Sequence, residues 1–378
     1  MPGHCGAVAD MPDLRVGLVG PLPPPSGGMA NQTRQLARLL TEEGVKVEVI
    51  QVNAPYRPDW IGGIQGVRAL FRLLPYLVGL WRAAGRVSLL HVMANSGWSW
   101  HLFAAPAVWI GWLRGIPVVV NYRGGEADTF FSRSFRWIRP TLRRAAAVVV
   151  PSGFLAEVFN KRGIGTKTIP NIIDMQKFTD RLENRNESLN VLVTRNLEPI
   201  YDIATALRAF HRVLHQYPQA TLTVCGTGPD RQQLEAQCDE LGMRESVTFT
   251  GTVDNDRMAE LYHTAGVLLN TSLVDNMPIS ILEALASGVP VVSTDAGGIP
   301  YLVEHNKSAL LFSLGDDEGM AAAIVSLFSD RARVADLSRQ GLADVQQYTW
   351  PAVKVKLLAV YQSVLTGQGD GEREHNAA

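Results

Sequence analysis

The chain reads as an α/β protein built from two doubly wound, Rossmann-like domains facing across a cleft. Three observations predict this. Short β-branched runs alternate with longer stretches of helical periodicity, the rhythm of parallel strands joined by crossover helices. The rhythm stops at 174–190, DMQKFTDRLENRNESLN, and then restarts, giving two halves of similar size. Finally, 378 residues with 46% hydrophobic and 19% charged side chains suffice for two cores.

In the first half, strands are predicted at 14–20 (LRVGLVG), 45–52, 87–93, 116–122 and 146–151. Helices are predicted at 29–44, with Leu36, Leu39 and Leu40 on one side, and at 97–114 and 134–144. Residues 67–86 form an amphipathic helical pattern. In the second half the strands are 189–194, 220–226, 246–251, 265–271, 289–294 and 308–312, with helices at 201–217, 229–242, 255–264 and 278–287. The resulting domains are 14–173 and 189–350, joined by a linker at 174–188. A leader (1–13), a last helix crossing back to the first domain (351–366) and a disordered tail (367–378) complete the chain. Ligands of such domains bind at the carboxyl ends of the strands, so the cleft is the expected site.

The formal charge of −1 conceals an asymmetry. Residues 1–180 hold 20 Lys and Arg against 11 Asp and Glu, or +9; residues 181–378 hold 15 against 25, or −10. The basic excess concentrates in two stretches. In 67–86, Arg68, Arg72, Arg82 and Arg86 fall near one line beside Phe71, Leu74, Val78 and Trp81, with Pro75 as a kink point. In 130–144, Arg133, Arg136, Arg139, Arg143 and Arg144 stand among Phe131, Phe135 and Trp137. Arginines mixed with large aromatics suit an anionic lipid surface; solvated arginines on core-packed helices are the alternative. No nucleic-acid motif accompanies them, so nucleic acid is not expected as a partner. Cys5, Cys225 and Cys238 are too few and odd in number for a disulfide framework. The N-terminus lacks a signal pattern, and Pro106, Arg114, Gly115 and Pro117 interrupt the most apolar window. A cytoplasmic protein, soluble or peripheral at the inner membrane face, is expected.

Three segments can carry chemistry. Loop 21–29, PLPPPSGGM, puts Ser26, Gly27 and Gly28 at a helix N-terminus, a site for an anion or a plain turn. GTGPDRQQL, 226–234, follows a strand and opens a helix; Gly226 and Gly228 serve a turn or a ligand. The stretch 271–304 holds Asp275 and Glu283 eight residues apart, then Gly297–Gly298 beginning another helix. A carboxylate can accept both hydroxyls of a ribose diol; alternatively Asp275 caps a helix and Glu283 is solvated. The eight histidines are scattered without metal-ligand spacing, so no metal is expected. Neither half has GxGxxG followed by a ribose-binding acid, which disfavours a dinucleotide dehydrogenase.

DNMPISILEALASGVPVVSTDAGGIP, 275–300, resembles the E-x7-E block of family 4 glycosyltransferases, retaining enzymes of the GT-B fold, here as a D-x7-E variant. PSGG, GTGP and PNIID…Phe178 resemble further segments of that family in the same order, over residues 14 to about 365. The resemblance implies an enzyme, a hexosyltransferase moving sugar from a nucleotide diphosphate sugar, UDP before GDP, to a glycan or lipid-linked acceptor. Cell-surface polysaccharide or glycolipid assembly is the implied setting. The first domain would bind the acceptor and the second the donor. By the family pattern, Glu283 holds the ribose and Asp275 faces the donor sugar. Arg195 meets the diphosphate, and Gly27, Gly28, Gly297 and Gly298 approach it. Gly226, Asn276, Met277 and Pro278 line the donor, and the Val253 backbone reads the base. Asn95, Ser96, Trp98, Arg123 and Glu126 are acceptor-side candidates, and His91 and His101 are expected to face the same side; a packed core turn is the alternative for Asn95, Ser96 and Trp98, and a surface position near a turn for Arg123. The family's lysine after Arg195 is absent, with Tyr201 near its place, and its first-domain histidine is replaced in NYRGGEADTFF. Arg123 is expected to supply part of the missing positive charge, making Asp275, Arg195 and Arg123 the expected catalytic residues. A sugar-nucleotide epimerase, a phosphorylase and a non-catalytic nucleotide-sugar-binding protein are the competing readings.

Overall fold

A computed structural model describes residues 13–24, 27–55, 68–179 and 188–367. The leader up to residue 12, Ser26, the middle of the expected linker (180–187) and the tail beyond Gly367 lie outside the described residues. The chain divides into two compact units: unit 1 is Met1–Asn171 with Pro351–Ala378, and unit 2 is Ile172–Trp350.

Unit 1 carries β1 (Arg15–Gly20), α1 (Gly28–Glu42), β2 (Lys46–Gln51), α2 (Arg68–Ala83), β3 (Leu89–Ala94), α3 (Ala105–Leu113), β4 (Val118–Tyr122), α4 (Ala127–Leu142), β5 (Ala147–Val150), α5 (Gly153–Asn160) and β6 (Lys167–Thr168). All its strands are parallel, in the order β2-β1-β3-β4-β5-β6. Every residue of β3 and β4 is buried, as a parallel sheet covered on both faces requires.

Two helix expectations need correction. The run 97–114 is not one α-helix: Trp100–Ala104 is π-helical, with the Ala105 N–H donating to the Trp100 carbonyl. Pro106 brings no N–H to the next turn, so the ladder is already broken there. The helix expected at 134–144 begins at Ala127, because Phe131 is buried and extends the apolar face backwards. The proposed line of four arginines also breaks. Helix α2 ends at Ala83, and Arg86 lies beyond it, paired with Glu48 on β2.

Unit 2 carries β7 (Asn190–Thr194), α6 (Ile203–Leu214), β8 (Thr221–Cys225), α7 (Arg231–Glu240), β9 (Val247–Gly251), α8 (Asn255–Thr264), β10 (Val267–Asn270), α9 (Ile279–Ala286), β11 (Val291–Thr294), β12 (Leu310–Phe312), α10 (Asp317–Ser329) and α11 (Arg331–Asp344). Its parallel sheet runs β12-β11-β10-β7-β8-β9. Alternation along β7 feeds two cores: Val191 and Val193 join Phe210 and Val224, while Leu192 joins Tyr262, Ile281 and Leu285. Residues at the start of the expected linker are packed: Phe178 is buried, edge-on to Tyr262 at 5.8 Å. The last helix, α12 (Trp350–Leu365), returns the chain to unit 1. There Lys354 Nζ lies 2.8 Å from Glu43 Oε1.

Candidate functional site

In unit 2 the chain leaves β7 to build β8 and β9 on one side, then places β10 on the other. The carboxyl ends of β7 and β10 therefore part at a topological switch point, where open α/β sheets bind ligands. Arg195 follows β7, and Asn270 ends β10. Arg195 Nε donates to Asn270 Oδ1 at 3.1 Å, and its Nη2 donates to Asp275 Oδ2 at 2.5 Å. Both charged side chains are about 15% exposed (14% and 15%). Asn270 is itself fixed, donating to Ser293 Oγ at 2.9 Å and accepting from Ser272 Oγ at 2.8 Å. Arg195 also stacks 5.1 Å over the ring of Tyr201. The tyrosine at the missing lysine's place thus orients the arginine and adds no charge.

The glycines of the motifs are packing requirements. A Cβ on Gly226, whose φ is +143°, would lie 2.1 Å from the Arg195 carbonyl oxygen, and one on Gly228 2.1 Å from that of Leu197. GTGP is therefore the surface against which the Arg195 loop closes, with Leu197 N donating to the Thr227 carbonyl at 3.0 Å. Gly297, at φ +55°, and Gly298 press on the Asp275 and Asn276 carbonyls in the same way, and Gly298 N donates to Asp275 O at 2.7 Å. The helix expected after them is a single 3₁₀ turn, Ile299–Tyr301. The pair positions the 275–276 backbone, and no long helix N-terminus stands there.

Glu283 lies on the second turn of α9, which starts after Pro278; Asn276, Met277 and Pro278 are buried at its entry. Burial pushes its carboxyl up from 4.5 to about 7, against the opposing pull of Tyr262, Arg195 and Lys177. The Tyr262 hydroxyl, a hydrogen-bond neighbour of Glu283, also lies 3.0 Å from the Ser280 carbonyl oxygen and 3.0 Å from Thr194 Oγ1. Lys177, paired with Asp256 at 2.6 Å, is a second cation in range. Val253 is half-buried in the loop before α8. Tyr262, Thr194, Asn270 and Lys177 belong to this cluster and are absent from the sequence reading. A polar residue ending an apolar strand, as Asn270 does, was the available signal.

In unit 1, Gly27 caps α1 in extended conformation, and a Cβ there would meet nothing within 4 Å; Gly28 is the first residue of the helix. The loop holding them follows β1, whose neighbour β3 leads into Asn95 and Ser96. Asn95 Oδ1 accepts from Ser96 N at 2.8 Å, and Ser96 Oγ meets the Tyr122 hydroxyl at 2.7 Å. Gly124 closes on both, so the ends of β3 and β4 come together. Arg123 sits there, donating from Nε to Asn121 Oδ1 at 3.2 Å and from Nη1 to Asn171 Oδ1. Burial lowers its guanidinium to about 10, leaving it charged at neutral pH. Glu126 is exposed at the start of α4, and Trp98 is 78% exposed, edge-on to His101. His91 is in the core, bonded to Asn121 and Tyr361, and does not belong with His101 on an acceptor surface. Among the described residues, no three His, Cys, Asp or Glu form a metal-holding group.

Two family models match in tandem: glycosyltransferase family 4 over residues 26–177 and glycosyl transferases group 1 over 174–343. The chain is 26% identical over 373 residues to a phosphatidyl-myo-inositol mannosyltransferase of Mycolicibacterium smegmatis, covering 93% of this chain and 94% of that one. It is 24% identical to a D-inositol 3-phosphate glycosyltransferase of Segniliparus rotundus, over 90% and 86% of the two chains. Its fold is similar to that of Anabaena HepE in complex with UDP (TM-score 0.71, 18% identity, 93% of this chain and 100% of that one). It is also similar to sucrose-phosphate synthase from Thermosynechococcus elongatus (TM-score 0.72, 20% identity, 94% and 100%). With a parallel six-stranded sheet in each unit and the two models spanning 26–343 between them, the chain is a glycosyltransferase of the GT-B fold and belongs to family 4.

Proposed function

We propose that the chain transfers a hexose from a nucleoside diphosphate sugar to a glycan or lipid-linked acceptor with retention of configuration. Cell-surface polysaccharide or glycolipid assembly is the proposed setting. The observation that carries this reading is the Arg195–Asp275 pair at the switch point of unit 2, with Glu283 within reach of the Arg195 charge. Cleaving the anomeric bond places negative charge on the departing diphosphate. Arg195, already oriented by Asn270 and Tyr201, stabilises that charge as it develops, without a metal ion. Glu283 accepts the ribose hydroxyls, and Asp275 faces the sugar. Arg123, charged at the end of β4 in unit 1, is the further catalytic residue of this reading. No protein nucleophile is invoked: the leaving phosphate takes the acceptor's proton during front-face attack. UDP is the preferred base carrier and GDP the next; HepE was solved with UDP, and a Mycobacterium tuberculosis relative is named as GDP-mannose-dependent. Thermal-shift screening of nucleotide sugars, followed by product analysis, tests the donor. Glu283→Ala retaining wild-type donor kinetics would overturn the assignment.

We further propose a cytoplasmic protein that docks peripherally on an anionic membrane through unit 1. No helix among the described residues is long and apolar enough to cross a membrane. On α2, Phe71, Leu74, Val78 and Trp81 recur at helical spacing and are 45% to 60% exposed, while Tyr76, Leu80 and Ala83 face the core. Its apolar stripe thus points outward. Arg114 lies 5.0 Å over Trp81, and Arg144 lies 4.0 Å over Trp109 and 4.9 Å over the exposed Trp112. Beside them, Arg136, Arg139, Arg143 and Arg144 line an open groove of about 550 Å³. Arginine heads over tryptophan rings suit a headgroup layer. Co-sedimentation with anionic vesicles at low salt, lost on Phe71→Ser with Trp81→Ser, is the expected result. Absence of vesicle binding by the intact protein would overturn the docking.

A further inference from the structure

We infer that His91, a core residue outside the donor and acceptor sets, is a positioning residue that orients Arg123 through Asn121, with Tyr361 of α12 orienting the imidazole in turn. The inference rests on the reading that Arg123 acts in sugar transfer.

Four side chains of unit 1 form one hydrogen-bonded line. Arg123 Nε is 3.2 Å from Asn121 Oδ1, Asn121 Nδ2 is 3.0 Å from His91 Nε2, and His91 Nδ1 is 2.8 Å from the Tyr361 hydroxyl. The charged end sets the polarity of every link. A guanidinium N–H can only donate, so Asn121 must turn its oxygen to Arg123 and its NH₂ to His91. His91 Nε2 must then accept, the ring proton sits on Nδ1, and Nδ1–H donates to Tyr361. A neutral imidazole is required, and burial together with the Arg123 charge holds His91 down to about 3. The line is inaccessible to water: His91 and Tyr361 are 0% exposed and Asn121 1%.

Packing alone does not call for these groups. The neighbours of His91 on β3 are Leu90 and Val92, and an apolar residue at 91 would fill the strand without the cost of burying polar atoms. What histidine supplies is an acceptor that prevents the Asn121 amide from flipping. A flipped amide would point NH₂ at the guanidinium and release Nε, while Nη1 still donates to Asn171. Tyr361 lies on the helix by which the chain returns from unit 2, so the last helix of the chain helps fix a residue at the end of β4.

The test uses the full-length protein with His91→Leu, His91→Gln and Tyr361→Phe, each in wild-type and Arg123→Ala backgrounds, with melting curves to verify folding. His91→Leu is expected to lower kcat at least tenfold with little change in donor KM. His91→Gln, which keeps an acceptor, should recover most of the loss, and Tyr361→Phe should lose two- to fivefold. In the Arg123→Ala background each change should add less than twofold, because its route to the reaction is gone. Losses that persist undiminished in that background, or a fully active His91→Leu, would overturn the inference. A second readout is independent of turnover. The Arg123 Nε–H resonance should be protected from exchange in wild type and in His91→Gln, and lost in His91→Leu. An unchanged resonance in a folded His91→Leu protein overturns the positioning role. A wild-type protein that turns over no donor overturns the transfer reading instead, and the resonance still decides this one.

Discussion

Glu283 should destabilise the fold it serves, and the size of that cost follows from its surroundings. Burial raises its carboxyl from 4.5 to about 7, in spite of Tyr262, Arg195 and Lys177. Each tenfold change in proton affinity is worth about 1.4 kcal/mol, so the full displacement is worth about 3 kcal/mol. The folded chain holds this proton more tightly than the unfolded chain, so the stability that this group contributes is greatest below pH 4.5. It falls by about that amount as pH rises through 7. Glu283→Gln removes the charge and keeps the shape and an acceptor for Tyr262. The variant should match wild type near pH 4.5 and exceed it by up to about 3 kcal/mol at pH 8, or roughly 6–12 °C in Tm for a domain of this size. Melting curves at pH 5, 6, 7 and 8 provide the assay. A gain independent of pH, or a variant less stable than wild type at pH 8, would show that burial of the Glu283 charge does not cost the fold this energy. Function should move oppositely. If the ionised carboxylate grips the ribose, the usable fraction of the unliganded enzyme is about 90% at pH 8 and about 10% at pH 6. Donor kcat/KM should therefore fall nearly tenfold over that interval in wild type. A stabilised but donor-blind Glu283→Gln protein is the trade expected of a binding residue held in a costly environment.

Arg195→Ala leaves the Asp275 carboxylate buried without its partner and should cost about 3–5 kcal/mol in denaturant unfolding; Asp275→Asn keeps a hydrogen-bond acceptor and should cost less than half as much. Gly298→Ala puts a Cβ 1.8 Å from the Asn276 carbonyl oxygen, so about 1–3 kcal/mol of stability and at least tenfold in transfer rate should be lost. Gly27→Ala, with open space around its Cβ, should melt like wild type. Transfer should continue at an unchanged rate after chelation of divalent cations; loss restored by added magnesium would show that Arg195 does not suffice for the diphosphate.

The fold was legible in the sequence because parallel strands covered on both faces leave nearly continuous apolar runs, as in VVVNY of β4. Elements that escaped are those whose signal is short or diluted. Strand β6 has two residues, and α10 and α11 carry small side chains, such as Ala321 and Ala323, in their buried faces. The site was half legible. Asp275, Glu283 and the glycine pair lie within one motif and Arg195 follows a legible strand, whereas Asn270 and Tyr262 are 75 and 68 residues from Arg195 and Thr194, the partners they touch. Asn270 meets Arg195 because β10 lies beside β7, a fact of strand order that no local window contains. On α2 the periodicity announced an apolar stripe without saying whether anything covers it. The helix uses Tyr76, Leu80 and Ala83 to pack and leaves the larger stripe exposed.

Charge shows the same gap between counting and placement. Unit 2 is rich in acids, and its basic residues are largely paired: Arg208 and Arg212 with Asp317, Arg231 with Glu235, Arg257 with Glu260, Arg339 with Asp336. Arg195 too is paired, so an incoming diphosphate must compete with Asp275 for it or share it. On α4, by contrast, Arg133, Arg136 and Arg139 have no carboxylate within ion-pair distance among the described residues, nor does Arg143 just beyond it. Exposed pairs contribute little to folding, so the unpaired arginines cost the fold little to retain, and their effect is long-range and attractive to anions. Salt therefore separates the two units. Raising ionic strength should weaken vesicle binding steeply, through the unpaired arginines of unit 1, while donor binding, through a half-buried arginine already held by hydrogen bonds, should change far less. Equal salt sensitivity of the two would mean that the basic excess serves the donor and not a surface.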